Sequence, residues 1–298
     1  MGRLEIVRKE LEHDQVPLSF YGRAVDQDGA GVDGATVTLT YTHFDLTVPQ
    51  YHFLGEGSRS MKTDPQGFFT VSGIKGYGLA IKVSKEGYLA SKRNFPGANY
   101  VHVAKPFSPD LSKPVVYLLR KKGVPVPLVS SVRNYVLRRD GAPLSVDLMT
   151  GETNSTNPDI TIQLWVDDTR RHGNGGRFDW RAKVEVLNGG GLETTDEEFG
   201  YTAPGGGYVD SAELDYSISD TNRPWSDGSS QTYYLKLRGG SMYARMELQM
   251  VPGGDHFCLI RSSLNPSGSR NLESDGTLRF QDVEEYNRYI AAHPRAAK

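Results

Sequence analysis

The chain has 298 residues, 37% of them hydrophobic, and 34 lysines and arginines against 36 aspartates and glutamates give a formal net charge of −2. That length suits about two domains and buries a core without disulfide or metal staples, while the balanced charge excludes a concentrated basic face for nucleic acid. The single cysteine, Cys258, excludes an intrachain disulfide. Its run His256-Phe257-Cys258-Leu259-Ile260 reads as a packed strand around an inert, buried thiol.

No apolar stretch approaches the ~20 residues of a membrane span, so no membrane insertion is expected. The start, Met1-Gly2-Arg3-Leu4-Glu5, lacks the apolar centre of a signal peptide. Two expectations follow: a cytoplasmic chain, or an export segment upstream of this sequence. Leu4, Val7 and Leu11 recur at helical spacing, which predicts a short helix within a leader over 1–15. Alternation then begins at Val16. In Ala35-Thr36-Val37-Thr38-Leu39-Thr40-Tyr41 apolar residues alternate with threonines, as in a strand with one buried face. Phe69 and Val71 repeat the pattern, as do Leu79, Ile81 and Val83. Asp26-Gln27-Asp28-Gly29 and Thr63-Asp64-Pro65-Gln66-Gly67 supply turns.

The order Gly22, Val25, Asp28, Gly29, then Gly34, Ala35, Val37, Leu39, then Thr63, Asp64, Gly67, Phe69, Val71, and finally Gly76, Tyr77, Leu79, Ile81, Val83, Lys85, Gly87 and Tyr88 resembles the carboxypeptidase regulatory-like domain. The resemblance implies a seven-stranded prealbumin-like sandwich of the CNA-B and transthyretin type, over 16–122, and an extracytoplasmic location. One departure is the segment between Tyr41 and Met61, which carries His43, Phe44, Tyr51, His52 and Phe53. A long aromatic insertion is either a binding loop or a hairpin packed on a neighbouring domain.

Pro114 to Arg120 reads as the strand that closes this sandwich, and the proline-bearing run over 123–134 as a linker. A hairpin is expected between Val136 and Leu148. Alternation at Ile160 to Val166, Phe178 to Val186, Tyr233 to Leu237 and Ala244 to Met250 predicts a second sandwich, jelly-roll-like, over 135–278. The stretch Leu137 to Glu273 resembles the distal half of uncharacterised bacterial exported proteins that carry a regulatory-like domain. Over 279–298 a helix is expected, capped by Asp282 with Glu285 as its capping-box partner. The fold class is therefore all-β: two tandem antiparallel β-sandwiches with short terminal helices.

Motifs of chemistry are weak by comparison. The seven histidines show no metalloprotease spacing, so no catalytic residue, metal site or cofactor is assigned. Asp26-x-Asp28 lacks the later oxygen ligands of a calcium loop, and Asp167, Asp168 and Asp255 offer only a possible structural calcium between loops. Glu193, Asp196, Glu197 and Glu198, like Asp210, Glu213 and Asp215, read as solvated loop acids rather than a hydrolytic pair. Asn154-Ser155-Thr156 matches a glycosylation sequon that matters only in a eukaryotic secretory chain. Trp225 in Arg223-Pro224-Trp225-Ser226, together with Tyr201 and Tyr208 around Ala203-Pro204-Gly205, forms the candidate saccharide surface, with Tyr51 and His52 as an alternative platform. Trp165 and Trp180 fall in strands and are assigned to core or sheet surface. The expected role is a non-catalytic module of a bacterial exported or envelope protein, in adhesion, scaffolding or surface display. Its partners would be polysaccharide or envelope proteins. A carbohydrate-binding protein is the alternative, a glycoside hydrolase or other hydrolase the remote one, and oligomeric state is left open.

Overall fold

The computed structural model describes residues 15–44, 54–101, 103–172, 176–220, 224–254, 256–274 and 276–294. Residues 1–14 of the expected leader, and the segment holding Tyr51 and His52, lie outside them. The chain divides into two compact units, Met1–Lys122 and Gly123–Lys298. Each is a β-sandwich, so the protein is all-β.

In the first unit, one sheet holds β1 (Val16–Val25), β4 (Phe68–Gly76), β6 (Tyr88–Ala90) and β8 (Val115–Lys121), in the order β4-β1-β8-β6. The other holds β2 (Thr36–Phe44), β3 (Leu54–Lys62), β5 (Gly78–Ser84) and β7 (Gly97–Asn99), in the order β3-β2-β5-β7. Alternation drives this arrangement: Leu18, Phe20 and Ala24 on β1 and Val37 and Leu39 on β2 are fully buried, while Ser19, Tyr21, Arg23 and Thr38 between them face out. The core is aromatic, with Phe20 within 6.4 Å of the rings of Phe69, Phe95, Phe107 and Tyr117. Gly22 pairs with Phe69, and a Cβ there would lie 2.1 Å from the Phe69 ring. The two Asp turns repeat one chemistry. Asp26 Oδ1 accepts from the N–H groups of Asp28 and Ala30, and Asp64 Oδ1 from those of Gln66 and Phe68. The described residues of the insertion between Tyr41 and Met61 are strand, because β2 and β3 pair in register from Thr36↔Lys62 to Phe44↔Leu54.

The second unit opens with a correction. The expected linker is shorter than 123–134, since Leu128–Val136 forms β9 and pairs along its length with Phe257–Asn265, β17. Leu128 and Val129 are buried, and apolar residues that bury themselves cannot serve as a spacer. Nor does Val136 to Leu148 fold as a hairpin. Leu144–Val146, β10, instead pairs with Ile160–His172, β11, where Val146 reaches the core. The smaller sheet continues through Arg177–Val186, β12, to Ser211–Tyr216, β14, in the order β10-β11-β12-β14. The larger sheet is Gly191–Thr195 (β13), Ser229–Leu237 (β15), Met242–Val251 (β16), β17, β9 and Arg279–Phe280 (β18), in that order. Between them lies an apolar core that includes Ile162, Leu164, Trp180, Val184, Tyr233, Leu235, Met246 and Cys258.

The described part of the expected C-terminal segment, 279–294, packs into the second unit. β18 lies parallel to β9, and Phe280 packs with Val129 and with Tyr286 of the helix Val283–Ala292, α1. Asp282 caps that helix by accepting from the N–H of Glu285, while the Glu285 carboxylate accepts from the N–H of Gln281, one residue outside a regular capping box. No helix among the described residues is long and apolar enough to cross a membrane.

Candidate functional site

The outward face of the β10-β11-β12-β14 sheet gathers polar residues that are far apart in sequence. On β11, Ile162 and Leu164 point to the core, which sends Gln163, Trp165 and Asp167 outward. On β12 the buried residues are Phe178, Trp180 and Ala182, so Asp179 and Arg181 share that outer face. Antiparallel register sets Trp165 opposite Arg181, Arg181 opposite Asp215, and Asp167 opposite Asp179. On the other flank the chain returns as an extra half-strand, with the N–H of Val166 donating to Arg139 and that of Gly141 to Leu164. One cross-strand row therefore reads Asp140, Trp165, Arg181, Asp215.

At the end of this row is a groove of about 310 Å³, with Trp165, Val166 and Trp180 as its apolar lining and Arg139, Arg181, Asp167, Asp179 and Asp215 as its polar lining. It opens where regular pairing between β11 and β12 stops, after Asp167↔Asp179. Irregular register at such points re-aims side chains. Several groups are held in place. The Arg181 guanidinium lies over the Trp165 ring at 4.6 Å. Asp179 Oδ1 accepts from the N–H of Ile218 at 2.6 Å. Gly141 has φ +82°, and a Cβ there would fall 2.0 Å from Trp165 Nε1, so backbone supports the indole directly. Next to the row, Asp140 is held below the usual carboxylate range by its hydrogen bond from Arg138.

The residues singled out in the sequence do not assemble into one surface. Trp225 is half-buried against the main core, donates from Nε1 to the Phe178 carbonyl at 2.8 Å, and packs edge-on to the Phe178 ring. Its ring is occupied by structure. Tyr208 belongs to a separate apolar cluster with Leu128, Ala203, Tyr234 and Leu272, and its hydroxyl donates to the Pro204 carbonyl. Burial pushes that hydroxyl up to about 12. Tyr201 lies beside this cluster, its carbonyl accepting from Leu272. Tyr51 and His52 fall outside the described residues. Of the acids, Glu193 sits on β13 and Glu213 and Asp215 on β14, outward positions of strands rather than loop residues, since Leu192 and Leu214 between them are buried. Asp255 and the side chain of Asp168 lie outside the described residues, and no cluster of three metal-ligating side chains occurs among those described.

Trp165 and Arg181 were legible only as strand residues, Asp215 was read as a loop acid, and Arg139 fell in the turn of the expected hairpin. The outward phase of Gln163-Trp165-Asp167 was available from alternation, but the row needs the register of four segments.

A second polar cluster has a structural task. Arg238, at φ +49°, donates from Nε to Asp159 at 2.8 Å and from Nη2 to Asp147 at 3.2 Å. Asp159 is fully enclosed, and its burial raises the carboxyl above the usual range against the opposing pull of Arg238 and the Leu148 N–H. These bonds tie the 147–159 loop to the β15–β16 turn.

No family model and no curated protein matches the chain. Three solved structures are similar to parts of it. A 3-chlorocatechol 1,2-dioxygenase from Rhodococcus opacus 1CP is 19% identical over 36% of this chain and 60% of its own, at a TM-score of 0.24. A streptococcal ancillary pilin is 13% identical over 69% of this chain and 60% of its own, at 0.23. The major pilin SpaD of Corynebacterium diphtheriae is 9% identical over 84% of this chain and 67% of its own, at 0.24. Likeness at this level carries no argument about activity.

Proposed function

We propose that the chain is a non-catalytic module of a bacterial exported or envelope protein, in which the second sandwich holds a surface ligand and the first is a scaffold of the carboxypeptidase regulatory-like kind. The extracytoplasmic location rests on the residue order from Gly22 to Tyr88. The observation that carries the binding role is the groove beside Trp165: a concave, mixed polar and apolar patch on rigid strands. A hydrolytic reading fits it less well. Asp167 and Asp179 occupy directly opposed positions of neighbouring strands on one sheet face. Glycoside hydrolysis asks for two carboxylates on opposite sides of the scissile bond. Acids along one wall instead suit acceptance of hydrogen bonds from a bound ligand.

The test is fractionation of the producing cell combined with retention of the purified full chain on isolated envelopes. Recovery outside the cytoplasm, with envelope retention and no turnover of chromogenic glycosides, is expected. Cytoplasmic recovery or measurable turnover overturns the reading.

A further inference from the structure

We propose that the groove beside Trp165 is a saccharide site that takes a neutral, polyhydroxylated ligand. The inference rests on the reading of this groove as the ligand surface and adds the class of ligand.

The first argument is chemical. The polar lining alternates groups that only donate, Arg139 and Arg181, with groups that only accept, Asp167, Asp179 and Asp215. A hydroxyl both donates and accepts, so a ligand carrying several of them can add bonds to both kinds, Arg139, Asp167 and Asp215 each also keeping a partner within the chain. A polyanion would meet three carboxylates, and a polycation two guanidinium groups. The outward-facing Trp165 supplies apolar surface for the C–H groups of a sugar ring, while Val166 and Trp180 line the groove from strands whose side chains pack toward the core.

The second argument is preorganisation. Arg181 is exposed, and its guanidinium is fixed by the stack on Trp165 with no hydrogen-bond partner among the described residues, leaving its N–H donors for a ligand. Asp179 is oriented by Ile218 and Trp165 by Gly141. Groups ordered before binding lose little entropy on binding. The volume, about 310 Å³, is at the lower end of the about 300–1,000 Å³ of small-ligand sites. A peptide is disfavoured because extended peptides are read along open strand edges. Here the edge of β11 beside Trp165 is already paired with residues 139–141.

The test uses the ¹⁵N-labelled full chain, whose 3 tryptophans give distinct indole N–H signals. Those of Trp180 and Trp225 are bonded to the Ser226 and Phe178 carbonyls and serve as internal references. The probes are neutral gluco-, manno- and xylo-oligosaccharides, an oligogalacturonate, a chitosan oligomer and tetra-alanine. Arg181→Ala and Asp215→Asn change exposed side chains and leave the apolar core intact. A neutral oligosaccharide is expected to shift the Trp165 signal, and Arg181→Ala to weaken binding about tenfold, the scale of one charge-assisted hydrogen bond. A saccharide that binds without moving Trp165 overturns the site. Movement of Trp165 only by the anionic, cationic or peptide probe overturns the ligand class while the groove remains a ligand surface. Envelope retention that Arg181→Ala weakens, without a response to any neutral saccharide, also overturns the ligand class alone. Loss of both envelope retention and every probe response overturns the underlying reading as well.

Discussion

The two sandwiches solve the same folding problem with different materials. The first is organised by local chemistry: Asp26 and Asp64 close matching turns on their own backbone, and one cluster of stacked aromatics around Phe20 fills the interior. The second is organised by distant pairings. Its core is aliphatic and methionine-rich, its ion pair of buried Asp159 with partly exposed Arg238 spans 79 residues, and its groove takes residues from four separate segments. Local chemistry fixes a scaffold, whereas register across many strands places a surface.

Substitutions that cut each kind of organisation separate the two. The largest effect is expected in the second sandwich. Arg238→Ala leaves Asp159 fully buried without its cation and costs about 3–5 kcal/mol, a scale set for broken buried pairs. Chemical denaturation measures it, and a loss below about 1 kcal/mol, the range of exposed pairs, contradicts the assignment. Gly141→Ala comes next, at about 2 kcal/mol or more, because its left-handed backbone and the indole both oppose a Cβ. The same variant should displace Trp165 and abolish the ligand response, whereas a fully stable variant would show that Gly141 does not support the ring.

In the first sandwich the expected change has the opposite sign. The Tyr117 hydroxyl is enclosed with no hydrogen-bond partner among the described residues. Tyr117→Phe removes an unsatisfied polar group at constant shape and should stabilise by about 1 kcal/mol. Destabilisation would reveal a partner for that hydroxyl.

The smallest effect is a pH slope. Asp159 has a folded-state pKa above its unfolded value, so the unfolded chain releases this proton first as pH rises. Its contribution therefore makes stability fall with rising pH, from the usual carboxylate range up through the raised value, and Asp159→Asn should remove that slope. Cys258 offers a convenient reporter for all these measurements. Burial pushes its thiol up to about 12, so at pH 8 it should react with a thiol reagent only as the second sandwich unfolds.

Legibility in the sequence followed the same division. Asp26, Gly29, Asp64 and Gly67 announce turns because a turn is a contract between near neighbours, and alternation at Val37-Leu39 or Leu79-Ile81-Val83 announces buried faces. β9 escaped as a strand because Pro125 and Pro127 precede it and its exposed residues, Val132 to Asn134, break the alternation. The candidate site escaped for a deeper reason. Trp225, Tyr201 and Tyr208 drew attention by standing among polar and glycine residues, yet hydrogen bonds to Phe178, Leu272 and Pro204 tie them into the scaffold. Trp165 looked like any strand residue. Only the register that sets it between Asp140 and Arg181 turns it into part of a binding surface.

The most direct test of the central claim, that the second sandwich binds through the Trp165 face, is retention of the full chain on isolated envelopes with paired variants. Arg181→Ala and Asp215→Asn should each lower retention by about tenfold, while Tyr201→Phe, beside the cluster on the larger sheet and outside the groove lining, leaves it unchanged. Undiminished retention in both groove variants, with loss in Tyr201→Phe, would contradict the account and move the binding surface to the tyrosine cluster around Leu272.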